Sequence, residues 1–255
     1  MPFVVPALAI IASLRIVSLA PALTEDLFAI GAGADVVGVD AFSDRPPAAR
    51  RVPRVGGMRD VNAEAIVALH PDVVIGIPWQ APSLADVARG GVRTEALRLD
   101  GLDDDFRAIA RLGALTGHRR EASALVTSIR ARLAATARDA RRTRTLTAFV
   151  ALGGMGTAGA GSYVDTLLGL ANLRNVAGDV HRPWVMLSPE VLLRAQPDVL
   201  VVPDTTPPFA GEPWNRLSAV RAGRIVRVTE DDLLRPGPRV ADALDAIVRG
   251  ARRWR

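Results

Sequence analysis

The chain contains no cysteine and no lysine, and only one tyrosine. Without cysteine it cannot form a disulfide, supply a thiolate nucleophile or bind a metal through thiolates, and cysteine usage leaves the compartment open. All 32 basic residues are therefore arginine. No stretch of the chain reaches about eighteen consecutive apolar residues, so the sequence predicts no transmembrane helix.

Aromatic residues are also scarce, at 4% of the chain. They comprise 6 Phe, 4 Trp and 1 Tyr. Each large ring buries much apolar surface when it is covered. Because the rings are so few, we expect them to be concentrated at specific positions.

The chain does have enough apolar sequence for a sizeable folded protein. Its 255 residues, 27.0 kDa in mass, are 49% hydrophobic and 23% charged. A chain of this length buries roughly three quarters of its surface on folding. One large core or two medium cores are expected, and this composition excludes intrinsic disorder.

The net charge of +5 does not indicate a nucleic-acid-binding protein. The arginines are dispersed among 27 acidic residues, with one loose cluster at Arg138, Arg141, Arg142 and Arg144. Nucleic-acid binders concentrate basic charge and interleave it with aromatic rings. We therefore predict no nucleic-acid partner.

Residues 1–14 begin with an apolar run from Phe3 to Ala12 that no basic residue precedes. A run of this length is too short to span a bilayer, which takes about 20 residues. It also lacks a clear small-residue cleavage site. We interpret it as a shortened export signal or as a first strand.

Apolar, β-branched runs recur along the chain before glycine or proline, and segments of helical period follow them. This alternation is typical of an α/β fold with parallel strands. In the first half the predicted strands are Ile16–Leu19, Val36–Val39, Val73–Ile77 and Leu97–Leu99. In the second half the predicted strands are Leu146–Leu152, Val199–Val202 and Ile225–Val228, and the predicted helices are Tyr163–Leu170, Pro189–Ala195 and Val240–Arg253.

An internal repeat indicates two lobes of like topology. In each copy a glutamate stands seven residues before a Pro-Asp pair and an apolar strand, at Glu64 and again at Glu190. A weaker match at a second offset aligns Glu25 with Asp165. Each glutamate could simply complement the dipole of a helix N-terminus. Their occurrence at equivalent points of both lobes favours paired contacts with arginines of a pseudo-symmetric or dimeric partner.

The segment between the two halves, residues 103–142, is predicted to be helical. Acidic residues at 103–105 suit a helix N-terminus, and Gly117 interrupts the pattern. Apolar residues then keep helical spacing for about 24 residues, a length of about 36 Å. Glycine and proline, which mark flexible hinges, are absent from that stretch. The sequence therefore predicts an N-terminal lobe at 15–102 and a C-terminal lobe at 143–255, rigidly coupled.

A glycine-rich stretch follows the predicted strand that starts at Leu146. Gly154, Gly156 and Gly159 spell the pattern G-x-G-x-x-G, and Asp179 lies further on. The pattern is typical of a dinucleotide-binding turn, so an NAD(P)-binding enzyme is one alternative. The other is a loop whose backbone comes close to a ligand or to the opposite lobe.

The sequence predicts neither a catalytic nor a metal site. His70, His118 and His181 have no helical pair spacing and no neighbouring ligand cluster. No G-x-S-x-G motif is present, and Asp204 with Asp231 and Asp232 is interpreted as loop acids.

The large rings point to a binding cleft. Trp79, Phe209 and Trp214 follow predicted strands, and Trp184 precedes the second glutamate unit of the repeat. Ligands of open α/β sheets bind at strand ends. Trp254, at the tail, is expected to serve in packing. The rings could cover the core as lids, but their placement in both halves favours one shared cleft.

Several segments, taken in order, resemble the substrate-binding proteins of ABC importers for vitamin B12, haem and iron-siderophores. The resemblance extends over nearly the whole chain from Arg15. It is carried by Arg15–Pro21 with Thr24-Glu25, Val37–Val39, Phe42–Pro47, Val55–Gly57, Glu64–Asp72, Arg182–Trp184 before Ser188–Glu190, and Arg235–Arg239.

This resemblance implies two Rossmann-like α/β lobes with central parallel sheets, a single long helix joining them and a ligand cleft between them. It implies a binding protein without catalysis or a cofactor of its own, at the periplasmic or extracellular face of the membrane, and we expect a monomer. By resemblance, Glu64 and Glu190 dock the lobes onto arginines of the permease dimer.

Within this family the cobalamin-binding branch is the most similar, and haem and iron-siderophore binders are the alternatives. Arg45 and Met58 depart from the B12 pattern, since aromatic residues can stand at those positions. Tyr163 is not expected to be an axial ligand. Arg45, Arg235 and Arg239 are predicted to pair with carboxylate or phosphate groups of the ligand. The predicted ligand-binding residues are Phe42, Arg45, Met58, Trp79, Met155, Trp184, Phe209, Trp214, Arg235 and Arg239.

Overall fold

A computed structural model describes residues 14–254. The apolar run from Phe3 to Ala12, interpreted above as an export signal or first strand, lies outside the described residues. Alternating strands and helices form two α/β lobes, as predicted. The strands are β1 (Ile16–Ser18), β2 (Val36–Val39), β3 (Val73–Gly76), β4 (Arg93–Ala96), β5 (Leu146–Val150), β6 (Gly156–Ala158), β7 (Leu173–Asn175), β8 (Trp184–Met186), β9 (Val199–Pro203) and β10 (Ile225–Val228).

The helices are short except for those between the lobes. They are α1 (Pro21–Ala29), α2 (Ala63–Ala68), α3 (Ala81–Arg89), α4 (Leu102–Thr116), α5 (Arg119–Ala140), α6 (Tyr163–Leu170), α7 (Pro189–Ala195), α8 (Ser218–Arg221), α9 (Glu230–Leu234) and α10 (Val240–Ala251). Within the part of the chain that the structure describes, no helix combines the length and apolar character needed to cross a membrane.

Each lobe is built on a four-stranded parallel sheet, and the two sheets have the same order. The N-terminal sheet runs β2-β1-β3-β4, and the C-terminal sheet runs β7-β5-β9-β10. In both, the first strand of the lobe lies inside the sheet, so β1 and β5 are buried. The C-terminal lobe also has an antiparallel two-stranded ribbon of β6 and β8, in which Thr157 pairs with Val185.

The internal repeat is matched in local detail. Helix α2 is capped by the side chain of Asn62, which accepts from the Ala65 N–H, and α7 by Ser188, which accepts from the Val191 N–H. Beyond each helix a single residue has a left-handed backbone, His70 at φ +45° and Gln196 at φ +40°. These turns direct the chain into β3 and β9, so the sequence repeat is a repeat of structure.

The Pro-Asp pair that follows each turn also has the same role in both lobes. The Asp72 carboxylate accepts a hydrogen bond of 2.8 Å from the Arg15 N–H, next to β1. Asp198 accepts one of 2.8 Å from the Thr147 N–H in β5. Each aspartate thus ties the start of one strand to the first strand of its lobe.

Helices α4 and α5 join the lobes. Gly117, in the left-handed region at φ +79°, separates them as the sequence predicted. Helix α4 packs on α1, whereas α5 packs on α6 and α10. Ile129 and Leu133 of α5 belong to one buried cluster that extends from Ile16 in the N-terminal sheet to Val226 in the C-terminal sheet. A continuous apolar core therefore connects the two lobes.

The fourth strand of the N-terminal lobe differs from the prediction. The sequence placed it at Leu97–Leu99, but the structure has β4 at Arg93–Ala96, where Glu95 pairs with Ile75 of β3. This strand lies at the sheet edge, and its side chains are partly or fully exposed. An edge strand does not need a continuous apolar run, so the apolar pattern predicted the segment that follows it instead.

Candidate ligand-binding site

A cavity of about 840 Å³ lies between the two lobes. The cavity lies at the ends of strands and at the turns that follow those strands. This position agrees with the one predicted for the cleft. The residues that line it are Ala20, Pro21, Ala22, Phe42, Met58, Ile77, Pro78, Trp79, Leu99, Asp100, Tyr163, Trp184, Glu230, Asp231, Leu234, Arg235 and Pro236. The structure thus brings together five predicted binding residues: Phe42, Met58, Trp79, Trp184 and Arg235.

The N-terminal wall of the cavity presents two exposed rings. Phe42 is 55% exposed and Trp79 is 52% exposed, although both side chains are large and apolar. Phe42 follows β2, where its N–H donates to the Asp40 carboxylate over 2.8 Å. The Arg59 guanidinium lies 5.9 Å from the centre of the Trp79 ring. Exposed rings on a concave surface are typical of a ligand-binding site.

Gln80 holds this wall together, and the sequence analysis did not identify it. Its side chain is buried, donates to the Leu19 and Met58 carbonyl groups over 2.9 and 3.1 Å, and accepts from the Ile77 N–H over 3.0 Å. It therefore fixes the turn that carries Trp79 against the loop that carries Met58. A polar residue next to a predicted binding ring could have served as the clue.

The C-terminal wall is built on Trp184 and Tyr163. The edge of one ring meets the face of the other, with centres 5.6 Å apart and planes at 67°. Tyr163 is buried, and its hydroxyl donates to the Leu233 carbonyl group over 2.8 Å. Burial, followed by the charge of Asp105, raises the pKa of Tyr163. The hydroxyl is therefore engaged within the protein and kept protonated, and it is not poised to ligate a metal.

The arginines predicted to meet an anionic ligand are paired with carboxylates of the protein. Arg235 contacts Asp44 and Asp231, each over 2.9 Å, and Arg45 contacts Asp231 over 2.8 Å. Partial burial acts to raise the pKa of Asp44, but the hydrogen bond and the charge of Arg235 lower it overall. The structure thus brings Arg45 and Arg235 close together, but their charges are paired with acids of the protein.

Arg45 and Arg239 lie outside the main cavity, which corrects their predicted position. They line a separate cavity of about 400 Å³ together with Glu25 and the prolines Pro46, Pro47 and Pro238. Arg239 forms a bidentate pair with Glu25, from Nε to Oε2 over 2.8 Å and from Nη2 to Oε1 over 2.9 Å. It also pairs with Asp232.

Two buried acids lie behind the cavity, at the junction of the lobes. Asp26 in α1 and Asp105 in α4 are both 0% exposed, and neither carboxyl group has a hydrogen-bond partner of normal geometry among the described residues. Burial raises the pKa of Asp105 to about 7, and the nearby backbone of Gly237 offsets part of this effect. Burial, followed by the charges of Asp105 and Glu25, raises the pKa of Asp26 well above its usual range.

Three predicted binding residues do not face the cavity. Phe209 and Trp214 stack 4.5 Å apart, and Trp214 lies 6.2 Å from buried Phe149, so both pack on the apolar cluster of the C-terminal lobe. Met155 packs on the same cluster. The expectation that these side chains face the cleft is corrected. The loop after β9, which carries Phe209 and Trp214, folds back onto its own lobe, and Met155, between β5 and β6, packs on that lobe as well.

The glycine-rich segment does not form a dinucleotide-binding turn. Gly156 begins strand β6, and α6 starts only at Tyr163, so the glycines do not place a helix N-terminus against a phosphate. At Gly159 a Cβ atom would lie 2.3 Å from the Arg182 carbonyl oxygen. The motif therefore reflects the close approach of two chain segments, and this geometry removes the support for an NAD(P) site.

The three histidines do not line the cavity, and no group of three or more His, Asp or Glu among residues 14–254 is arranged to bind a metal. His118 contacts the Thr116 hydroxyl over 3.1 Å, next to the break between α4 and α5. His70 has its role in the turn before β3.

The two repeat glutamates are exposed at the first turns of equivalent helices. Glu64 stands in α2 and Glu190 in α7, and neither forms an ion pair within residues 14–254. Hydrogen bonds from its own backbone N–H and from Ser188 lower the pKa of Glu190. Both side chains are exposed and thus open to an outside partner.

Comparison with known proteins gives a consistent result. A family model described as "Periplasmic binding protein" matches residues 16–231. The chain is 29% identical over 242 residues to a vitamin B12-binding protein of Pectobacterium carotovorum, and the match covers 91% of this chain and 86% of that protein. It is 26% identical to an uncharacterized ABC transporter substrate-binding lipoprotein of Bacillus subtilis, over 91% of this chain and 78% of that protein.

Two solved structures are similar over nearly their full length. The periplasmic vitamin B12-binding protein of Vibrio cholerae superposes with a TM-score of 0.79 at 27% identity, covering 93% of this chain and 96% of that one. The periplasmic haem-binding protein of Roseiflexus sp. RS-1, in its apo form, also gives 0.79, at 31% identity, with 94% and 100% coverage.

Proposed function

This chain belongs to the periplasmic binding protein family and has the role of a substrate-binding component of an ABC importer, and we propose that its ligand is cobalamin or a related corrinoid. The ring-lined cavity carries this proposal. Phe42 and Trp79 on one wall and Trp184 on the other present exposed apolar faces to a space of about 840 Å³. A macrocycle with a flat, apolar body fits between such faces and gains from their burial.

Haem is the second candidate, because Met58 lines the cavity and its thioether is a metal-ligating group. The pairing of the Tyr163 hydroxyl with Leu233 weighs against haem, since tyrosine is a stronger candidate for iron ligation. The 31% identity to a haem-binding protein weighs in its favour.

A ligand panel tests the proposal. Purified protein is titrated with cyanocobalamin, haemin, a ferric hydroxamate and NADH, and tryptophan fluorescence and ligand absorbance are followed. We expect saturable quenching with cyanocobalamin at micromolar concentration or below, and no response to NADH. Tight binding of haemin, with a Soret shift that Met58→Ala abolishes, would replace the corrinoid by haem. Tight binding of NADH with no response to either macrocycle would overturn the binding-protein assignment.

We further propose that Glu64 and Glu190 dock the protein onto arginines of the permease. Their exposure, their equivalent positions in the two lobes and the absence of an ion pair to either one within residues 14–254 support this. A charge-assisted hydrogen bond contributes about 1.5–3 kcal/mol. The double substitution Glu64→Ala with Glu190→Ala is expected to lower ligand uptake strongly while leaving ligand affinity intact. Glu121→Ala, which removes an exposed acid from the first turn of α5, is the matched control.

If the double substitution lowers ligand affinity instead, the two glutamates serve the cleft and the docking proposal is wrong.

We propose in addition that the protein acts outside the cytoplasmic membrane as a monomer without catalysis of its own. Elution of the purified protein near 27.0 kDa in size-exclusion chromatography is the expected result for a monomer.

A further inference from the structure

An ion-pair cluster crosses from one lobe to the other beside the ligand cavity. Its members come from α1 and the loop after β2 in the N-terminal lobe, and from α9 and the segment before α10 in the C-terminal lobe. It consists of the acids Glu25, Asp44, Asp231 and Asp232 and the arginines Arg45, Arg235 and Arg239. The four carboxylates outnumber the three guanidinium groups.

Among the described residues that line the cavity, Arg235 is the only cation. Its Nη1 lies 2.9 Å from Asp44 Oδ1 and 3.6 Å from Glu25 Oε1, and its Nη2 lies 2.9 Å from Asp231 Oδ1. The side chain is 18% exposed and that of Glu25 is 7% exposed. The charge of Arg235 is thus shared among three acids before any ligand arrives.

Arg239 is held still more firmly. Its guanidinium group makes two parallel hydrogen bonds to Glu25, the geometry that gives arginine–carboxylate pairs both strength and a fixed orientation. Asp232 occupies a further donor of the same group. Glu25 of the N-terminal lobe therefore contacts both Arg235 and Arg239 of the C-terminal lobe.

The other charged residues among those described as lining the cavity are acidic. Asp100, Glu230 and Asp231 line the cavity along with Arg235. A ligand carboxylate would meet these acids and would have to displace Asp44 or Glu25 to reach the guanidinium group. In a partly buried space, like charges repel more strongly than in water, so the cavity is unfavourable to an anionic ligand face.

The cluster also fixes the position of one cavity wall. Leu234 and Pro236 line the cavity and flank Arg235, so both move with it. Because Arg235 is held by Glu25 and Asp44 of the opposite lobe, the distance between the walls depends on these pairs. Gly237, at φ +128°, lies between the two arginines, and a Cβ there would be 3.0 Å from Asp26 Oδ1.

We propose that Glu25 and Asp44 determine ligand specificity: by holding Arg235 and Arg239, they keep these cations from the ligand and make the cavity select uncharged ligand faces over carboxylate-bearing ones. This inference rests on the proposed function, because it assumes that the cavity takes a macrocyclic ligand. Glu25 and Asp44 are positioning residues, which act through the arginines.

A matched pair of ligands tests this. Cyanocobalamin carries amide side chains, and in its monocarboxylic acid derivatives one amide is replaced by a carboxylate. We expect the wild-type protein to bind cyanocobalamin more tightly than the monocarboxylate. In Asp44→Asn and Glu25→Gln the monocarboxylate should gain affinity by about tenfold relative to cyanocobalamin, the effect of one charge-assisted hydrogen bond. The gain should shrink with added salt.

Asp242→Asn is the control variant. This substitution breaks the ion pair between Asp242 and Arg132, neither of which lines the cavity. The side chain of Asp242 is 44% exposed, close to the 42% of Asp44. The substitution should leave the ratio of the two affinities unchanged. Asp44→Asn covers the case in which Glu25→Gln fails to fold, because Asp44 is much more exposed. An unchanged ratio in folded Asp44→Asn would overturn the inference.

A readout that needs no ligand separates this inference from the proposed function. Hydrogen exchange of residues 230–239 in the ligand-free protein should be faster in Asp44→Asn and Glu25→Gln than in Asp242→Asn. If the wild-type protein binds neither corrinoid but this exchange changes as expected, the corrinoid proposal fails while the positioning role stands. If exchange is unchanged in both variants, the positioning role fails whatever the ligand.

Discussion

The two lobes share their scaffold and differ in the wall that each gives to the cavity. Both have a parallel sheet of the same order, a capped helix with an exposed glutamate, and a left-handed residue before a Pro-Asp pair. The N-terminal wall offers exposed rings, Phe42 and Trp79. The C-terminal wall offers a ring that rests on a buried tyrosine, together with the charged segment of α9 and Arg235.

This comparison separates two kinds of constraint. The features common to both lobes serve the fold and, in our proposal, contacts with a partner that binds both lobes in the same way. The features that differ line the cavity, where the proposed ligand has no such symmetry. The differences are therefore concentrated at the ends of the strands, whereas the similarities lie in the strands and in the helix before each of them.

The junction between the lobes should give the largest effect, because Asp26 and Asp105 are buried there and burial raises the pKa of both. The pKa of Asp105 is raised from 3.8 to about 7. Since the folded state keeps a proton that the unfolded chain loses, the free energy of unfolding should fall as pH rises from about 4 to about 7. The loss is on the order of 4 kcal/mol for this group. Urea unfolding at pH 5 and pH 8 measures it.

Asp105→Asn should remove the part of this pH dependence that Asp105 contributes, because an amide does not ionise, while the part from the raised pKa of Asp26 should remain. Asp103→Asn, on the exposed side of the same helix turn, is the control and should keep the wild-type slope. A wild-type protein more stable at pH 8 than at pH 5 would show that these acids do not govern the junction.

The two walls should each contribute to ligand binding, and the next prediction compares them. Trp79→Ala and Trp184→Ala should each weaken cyanocobalamin binding by about 2 kcal/mol, or roughly 30-fold, as for central aromatic contacts in other interfaces. Isothermal titration calorimetry with each variant tests this. Trp214→Ala, in a ring that packs away from the cavity, is the control and should leave affinity unchanged. A loss confined to one of the two cavity tryptophans would mean that a single wall holds the ligand.

The sequence predicted the scaffold well because the scaffold depends on local patterns. Helices Tyr163–Leu170 and Pro189–Ala195 have the predicted bounds, and so do strands β2 and β10. Buried parallel strands produce continuous apolar runs, and caps and turns leave their own signals. The misplaced strand, β4, lies at a sheet edge, where burial does not require such a run. Strands β6, β7 and β8 have three residues each and were not predicted, and β7 also lies at a sheet edge.

The candidate site was predicted only in part. The exposed rings at 42 and 79 follow strands β2 and β3, so their positions could be inferred from local sequence, whereas Trp184 begins strand β8, which was not predicted. The pairing of the arginines with acids could not be inferred in this way. Arg235 and Asp44 are 191 residues apart and meet only when the two lobes come together. Phe209 and Trp214 also follow a strand, but the loop between them and β9 decides that they turn inward.

The equivalent aspartates of the repeat allow a direct comparison of the lobes. Asp198 accepts from both the N–H and the hydroxyl of Thr147 and is half-buried, whereas Asp72 is exposed and accepts from the Arg15 N–H. We expect Asp198→Ala to lower the free energy of unfolding by about 2 kcal/mol and Asp72→Ala by about 1 kcal/mol or less. Equal losses in urea unfolding would mean that exposure does not set the difference.

The smallest effect concerns a position where the lobes differ in a single group. At the weaker repeat offset, Tyr163 corresponds to Leu23, and both side chains are fully buried. Tyr163→Phe removes a hydroxyl that donates to the Leu233 carbonyl group, so the free energy of unfolding should fall by about 1 kcal/mol. Cyanocobalamin affinity should stay the same, because the hydroxyl is engaged away from the cavity. Thermal unfolding and titration of the same samples give both values. A large loss of affinity at unchanged stability would show instead that the hydroxyl turns to the ligand, and that the C-terminal wall supplies a polar contact which the N-terminal lobe lacks.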